Sequence, residues 1–108
     1  MLVVLSSAIA APGRREELVA AARAVAAATR ADPGCVSYEF AADLDDLDRV
    51  LGVEVWADQA ALDAHMGHEH TREFLRVAPG LVSGEPVMAF HHVPDDAPGS
   101  GPDQAARA

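Results

Sequence analysis

Residues 49–75, RVLGVEVWADQAALDAHMGHEHTREFL, change period part-way, and that change decides the architecture. From Arg49 to Ala57 the residues alternate. Val50, Gly52, Glu54 and Trp56 fall on one face, and Leu51, Val53 and Val55 on the other, as in a β-strand. Asp58 is a good N-cap, and QAALDAHM then follows helical spacing. Gly67 interrupts the helix, and HEHTREFLRVA resumes it as far as Pro79-Gly80. A strand therefore feeds directly into an interrupted helix.

Working outward, GEPVMAFHHV at 84–93 reads as the last strand, with Pro86 near its beginning, where proline is tolerated. Upstream, DLDDLD at 43–48 reads as a solvated hairpin turn. It lacks the glycine and the spaced oxygens of a calcium loop. Residues 35–42, CVSYEFAA, form a strand with Val36, Tyr38 and Phe40 on one face. Asp32-Pro33-Gly34 ends a helix predicted over 14–31, in which Leu18, Ala21, Ala22, Val25 and Ala28 share a stripe. LVVLSSAIA at 2–10, bounded by Pro12-Gly13, is the first strand. The order is βαββαβ, an α+β, ferredoxin-like arrangement: a four-stranded antiparallel sheet with two helices on one face. The domain is expected over 1–93, with a disordered tail over 94–108 that is rich in proline, glycine and aspartate. Val87 and Ala89 oppose Met88 and Phe90 across the last strand, so both sheet faces carry apolar residues. A partner covering the second face, as in a homodimer, is the expected solution.

The formal net charge is −9, and all eight basic residues are arginine. That balance opposes binding to nucleic acid and to anionic membranes. No run reaches the ~18 apolar residues of a spanning helix. MLVVLSSAIAA lacks the basic start of a signal peptide, so the chain is read as cytoplasmic. Cys35 is alone and has no nearby base, which reads as a structural thiol.

Three of the five histidines lie in the opening stretch. On an unbroken helix His70 falls about 200° round from His68. Nor does the spacing match the i, i+4 pairs of helical zinc sites, so no metal is expected. His65 and His70 are candidates for a polar pocket wall, and His68 is expected to face water. His91 and His92 point to opposite faces. Trp56, between strand and helix, stands either at a pocket mouth or in the core. A buried Glu54 needs a partner, for which Arg72, Arg76, Tyr38 or a histidine are available.

VEVWADQAALDAHMGHEHTREFL resembles the antibiotic biosynthesis monooxygenase family, with its pattern E-x-W-x-S-x-x-A-L-x-x-H-x-x-S-x-H-x-x-x-F. Glu54, Trp56, Ala61, Leu62, His65, His70 and Phe74 fall on it in register, and PGCVSYEF resembles the family's P-G-C-x-x-Y segment. The resemblance implies a dimeric α+β barrel with a pocket in each subunit. It also implies a cofactor-independent monooxygenase acting with O2 on a quinol or a polyphenolic or polyketide aromatic. Gly52 stands where anthrone oxygenases carry asparagine, and Ser6 or Ser7 and Leu75 stand where haem-degrading relatives carry asparagine and histidine. Such chemistry needs a base, for which His65 or His70 is suited. It also needs a donor for the substrate oxyanion, with Trp56, Tyr38 and Arg76 as candidates. Phe40, Met66, Phe74 and Phe90 would shape a slot for a planar ring, or simply pack the core. A ligand-binding module or an isomerase using the same histidines is the alternative, and clustered arginines around a phosphate-sized hollow would mark the isomerase.

Overall fold

Strand pairing places the N-terminal segment at the centre. The computed structural model describes residues 1–94. It contains β1 (Leu2–Ala10), α1 (Arg15–Thr29), β2 (Cys35–Ala42), β3 (Arg49–Trp56), α2 (Gln59–Met66), α3 (Glu69–Val77) and β4 (Val82–His92), with a 3-10 turn at Ala78–Gly80. The sheet order is β2-β3-β1-β4, and every neighbouring pair is antiparallel. This is the ferredoxin-like α+β fold, with three helices because the second helical stretch is divided. The tail expected over 94–108 lies, from residue 95, outside the described residues.

Two local features depart from plain alternation. The β2–β3 register shifts between Cys35 and Ser37, which turns Val36 out to 62 % exposure and off the face it was expected to share with Tyr38 and Phe40. An extra residue in one strand of a pair produces this effect. β4 begins at Val82, two residues before the expected start, because Val82 pairs with Ala10 and the irregularity opposite Ser7–Ile9 absorbs Gly84 and Pro86.

The inner face of the sheet carries the core. Leu2, Val4, Tyr38 and Trp56 pack against Val25 and Ala26 of α1 and Leu62 of α2. A second cluster joins Ala10, Leu18, Val50 and Leu81, and Phe40 packs against both. The opposite face is open: Leu5 and Val53 pair across β1 and β3, and both are exposed, as are Ile9 and Val87. Among the described residues no helix is long and apolar enough to cross a membrane.

The break between α2 and α3 is a change of cap. Asp58 Oδ1 accepts the Ala61 N–H at 2.8 Å and starts α2. Gly67 closes α2, and His68 adopts extended angles (φ −72°, ψ 149°) as the N-cap of α3. One extended residue resets the helical phase, so faces computed for a continuous helix no longer apply.

Candidate functional site

A cavity of about 720 Å³ lies between the inner sheet face and the helices. That is within the ordinary range for small-molecule sites. Its walls are largely apolar, with Phe40, Met66, Phe74, Met88 and Phe90 among them, and Tyr38, Glu54, His65 and Thr71 are polar groups in the lining. No arginine lines it among the described residues.

The polar wall is built in two steps. Tyr38 and Glu54 are direct cross-strand partners on the inner face, so β-pairing alone brings them together. Trp56, two residues on, is fully buried, and its Nε1–H donates to Glu54 Oε1 at 2.9 Å. Burial raises the Glu54 carboxyl above its ordinary value, although the Trp56 hydrogen bond and the nearby His65 charge pull it back in part. Burial, with the Glu54 charge behind it, pushes the Tyr38 phenol well above its usual range, so it remains an O–H donor.

His65 closes the wall from α2. Its ring is buried, 4.7 Å from the Trp56 ring and 5.6 Å from that of Tyr38, centroid to centroid. Its Nδ1 lies 2.9 Å from Asp32 Oδ2, and Thr71 Oγ1 is 3.1 Å from the same nitrogen. Asp32 is itself buried. A carboxylate held against Nδ1 takes that nitrogen's proton as a hydrogen bond and leaves Nε2 as the acceptor nitrogen, with Thr71 Oγ1 3.5 Å from it. The arrangement has the logic of a base positioned by an acid.

Asp32 draws in more than one imidazole. His70 Nε2 lies 3.0 Å from Oδ2, and His68 Nδ1 lies 3.1 Å from it. His70 is aligned as a hydrogen bond, whereas His68 Nδ1 is buried without a well-formed one among the described residues. Burial raises the Asp32 carboxyl, but the hydrogen bonds from His65 and His70, the approach of His68 and the His70 charge outweigh it, so the group stays below its ordinary value. His68 is expected in water, and the three histidines are expected to converge only if the helix breaks near Gly67. The break is present, and the extended His68 cap brings all three onto one oxygen.

The remaining candidates separate cleanly. Tyr38, Phe40, Glu54, His65, Met66, Phe74 and Phe90 all border the cavity. Trp56 does not: its N–H is committed to Glu54, so it positions that carboxylate and offers nothing to an oxyanion. His70 also stands behind the wall, on Asp32. Arg76 is exposed, bonds Glu73 one helical turn away at 2.6 Å, and does not border the cavity. Burial raises the Cys35 thiol, and the Asp32 and Glu54 charges add to this, consistent with an inert thiol. Asp32 and Thr71 were not anticipated. In the sequence, Asp32 stands out only as part of a helix-ending turn. It is that as well, since Cys35 N–H bonds the Asp32 carbonyl at 3.1 Å around Pro33 and a positive-φ Gly34.

Solved structures with the same fold include one described as an antibiotic biosynthesis monooxygenase. It is 24 % identical, with a TM-score of 0.81, covering 86 % of this chain and 98 % of the other. The Pseudomonas aeruginosa protein PA3566 is 32 % identical with a TM-score of 0.79, over 85 % of this chain and 92 % of its own. Protein SO0527 from Shewanella oneidensis is 30 % identical with a TM-score of 0.80, over 85 % and 89 %. Among curated proteins, the uncharacterized protein sll1783 of Synechocystis is 35 % identical over 72 residues, which are 67 % of this chain and 49 % of that protein. The chain thus spans about half the length of that relative. The family profile for antibiotic biosynthesis monooxygenase matches residues 1–77, which include both the Tyr38–Glu54–Trp56 wall and the histidine stretch. The chain belongs to the antibiotic biosynthesis monooxygenase family.

Proposed function

We propose that the chain is a cofactor-independent monooxygenase that oxidises a quinol or a polyphenolic or polyketide aromatic with O2. The observation that carries this reading is the buried Asp32–His65 pair at the edge of an apolar cavity with no arginine in its lining. The missing arginines weigh against a phosphosugar isomerase, and the aromatic walls suit a planar ring.

The chemistry follows from the groups present. His65 Nε2 takes a proton from the substrate, and Asp32 stabilises the imidazolium that forms. Tyr38, held protonated, donates to the developing oxyanion. The electron-rich anion reduces O2, and one oxygen atom bonds to the ring carbon. Loss of the second oxygen as water leaves a carbonyl, so that a CH2 carbon plus O2 gives C=O plus H2O. Glu54, with its raised carboxyl, is placed to return a proton to the departing oxygen.

The assembly completes the reading. A homodimer formed through the outer sheet face would cover Leu5, Ile9, Val53 and Val87, and the protein would act in the cytoplasm on a small aromatic with no nucleic-acid or membrane partner. The test is oxygen uptake by chelator-treated protein against quinols and anthrones. Uptake matched by quinone formation and lost in His65→Ala supports the proposal. Turnover of a phosphosugar with no oxygen consumed on any aromatic would replace it.

A further inference from the structure

We propose that Asp32, His65, His68 and His70 form a binding site for a zinc-class divalent cation, on the side of His65 away from the cavity. Each residue offers one ligand atom, and the four atoms lie within 4.8 Å of one another. Three imidazole nitrogens and one carboxylate oxygen are a donor set that zinc accepts. Asp32 Oδ2 lies 2.9, 3.1 and 3.0 Å from His65 Nδ1, His68 Nδ1 and His70 Nε2. In a tetrahedral site with bonds of ~2.0–2.1 Å, ligand atoms stand about 3.3 Å apart. The three edges to Asp32 are therefore already near that length. Closing the site requires only that the histidines draw together, and two of them flank the short α2–α3 joint.

A second observation points the same way. One carboxylate oxygen satisfies His65 and His70, and the third nitrogen, His68 Nδ1, is buried and aimed at the cluster without a hydrogen bond among the described residues. A buried nitrogen whose nearest polar contact, Asp32 Oδ2 at 3.1 Å, is not aligned as a hydrogen bond is under-satisfied. A cation would satisfy all three imidazoles at once, in their neutral form, and would also complete the charge balance of the buried carboxylate.

The position has a consequence for the proposed base. His65 borders the cavity, while Asp32, His68 and His70 do not. A metal on His65 Nδ1 fixes the proton of the neutral ring on Nε2. The ring would then present a donor to the cavity in place of an acceptor, so zinc would act as an off-state of the base. This consequence rests on the monooxygenase reading, whereas the site itself does not.

Binding is therefore measured directly. The full chain, free of any histidine tag and stripped with chelator, is titrated with Zn2+ by calorimetry. Co2+ substitution is followed by its visible ligand-field bands. One equivalent per chain is expected, with the bands of a four-coordinate nitrogen–oxygen site and a higher melting temperature in the metal-loaded protein. His68→Ala, which removes a side chain that is 36 % exposed and makes no capping hydrogen bond to α3, should weaken binding by about tenfold or more. His91→Ala, on β4, should bind as wild type. Absence of a stoichiometric site at micromolar zinc, or equal affinity in wild type, His68→Ala and Asp32→Asn, overturns the proposal. Neither result bears on oxygen uptake by the metal-free protein.

Discussion

Gly34→Ala tests the turn that delivers Asp32 to the site. Gly34 has φ +81°, and a Cβ built on it runs into Ala61 Cβ of α2, with Ala57 Cβ also near at 3.9 Å. Alanine has no torsion by which to move aside, so either the turn or the start of α2 must shift. The left-handed backbone costs a non-glycine residue about 1–2 kcal/mol. Forcing a methyl into a filled contact costs roughly 1–3 kcal/mol more. Lower entropy of the unfolded chain returns ~0.4–1 kcal/mol. The net loss is then about 1–5 kcal/mol, a large part of the ~5–15 kcal/mol that holds a domain together. Gly13→Ala is the control, since Gly13 has φ +75° but nothing within 4 Å of the added Cβ. It should show the backbone cost alone. The assay is urea unfolding of both variants beside wild type, followed by thermal melts, where each kcal/mol moves the midpoint by about 4–8 °C. Gly34→Ala should melt well below Gly13→Ala. Equal losses would refute the close packing of the turn on α2, and with it the account of how Asp32 is held.

Three further outcomes are expected. Glu54→Gln keeps an oxygen acceptor for Trp56 and removes the buried charge. A carboxyl raised in the folded state stabilises most below its unfolded value, and that contribution is lost as pH rises through the folded value. The glutamine variant should thus gain on wild type as pH rises above the ordinary glutamate range, while losing turnover; a difference that stays flat with pH in urea titrations would count against it. His65→Ala should lower turnover by about 10²–10⁴ and Asp32→Asn by a comparable factor, with His70→Ala affected less because Asp32 still holds His65; equal losses at His65 and His70 in steady-state kinetics would move the base. Leu5→Glu on the outer sheet face should yield a monomer in sedimentation velocity where wild type sediments as a dimer, and an unchanged species would place the interface elsewhere.

What the sequence made legible follows from range. The two-residue period of strands puts Tyr38 with Phe40 on one face of β2 and Gly52 with Glu54 on one face of β3, and the pairing makes them cross-strand partners. Val36 escaped that rule because a bulge needs one extra residue and leaves no local signature. Asp58 and Gly67 bounded α2 as read. The phase after Gly67 was not legible, because the angles of a single residue, His68, set where α3 starts. Asp32 lies 33 residues before His65, and its role depends on how the turn packs on α2. Arg76 was misplaced for a simpler reason: a free guanidinium suits an oxyanion, but Glu73 lies one turn back on the same solvated face. The departure at Gly52 also has a structural sense. A Cβ there would meet Ser6 Oγ and lie 3.2 Å from the Phe40 ring, so these two side chains already occupy the space that an asparagine would need.

The acidic balance of the chain sharpens the meaning of the Asp32 cluster. A buried carboxylate is costly in any protein, and more so in one of net charge −9, where distant charges also favour neutralising it. Asp32 nevertheless stays ionised readily, and it does so without arginine, through imidazoles contributed by the two sides of one helix break. A structural role alone would be met by one hydrogen-bonded pair, or by an apolar residue in the same space. Three imidazoles on one oxygen exceed that need. His65 connects this cluster to the cavity, while Trp56 packs on His65 and holds Glu54. Glu54 lines the cavity and Asp32 stands behind His65, and the two carboxylates have opposite tuning, Asp32 lowered and Glu54 raised. In the proposed reaction, groups driven apart in this way would divide a proton-transfer task, one keeping a base ready and the other able to return a proton. That division, more than the presence of any one histidine, is what separates this wall from an ordinary polar lining.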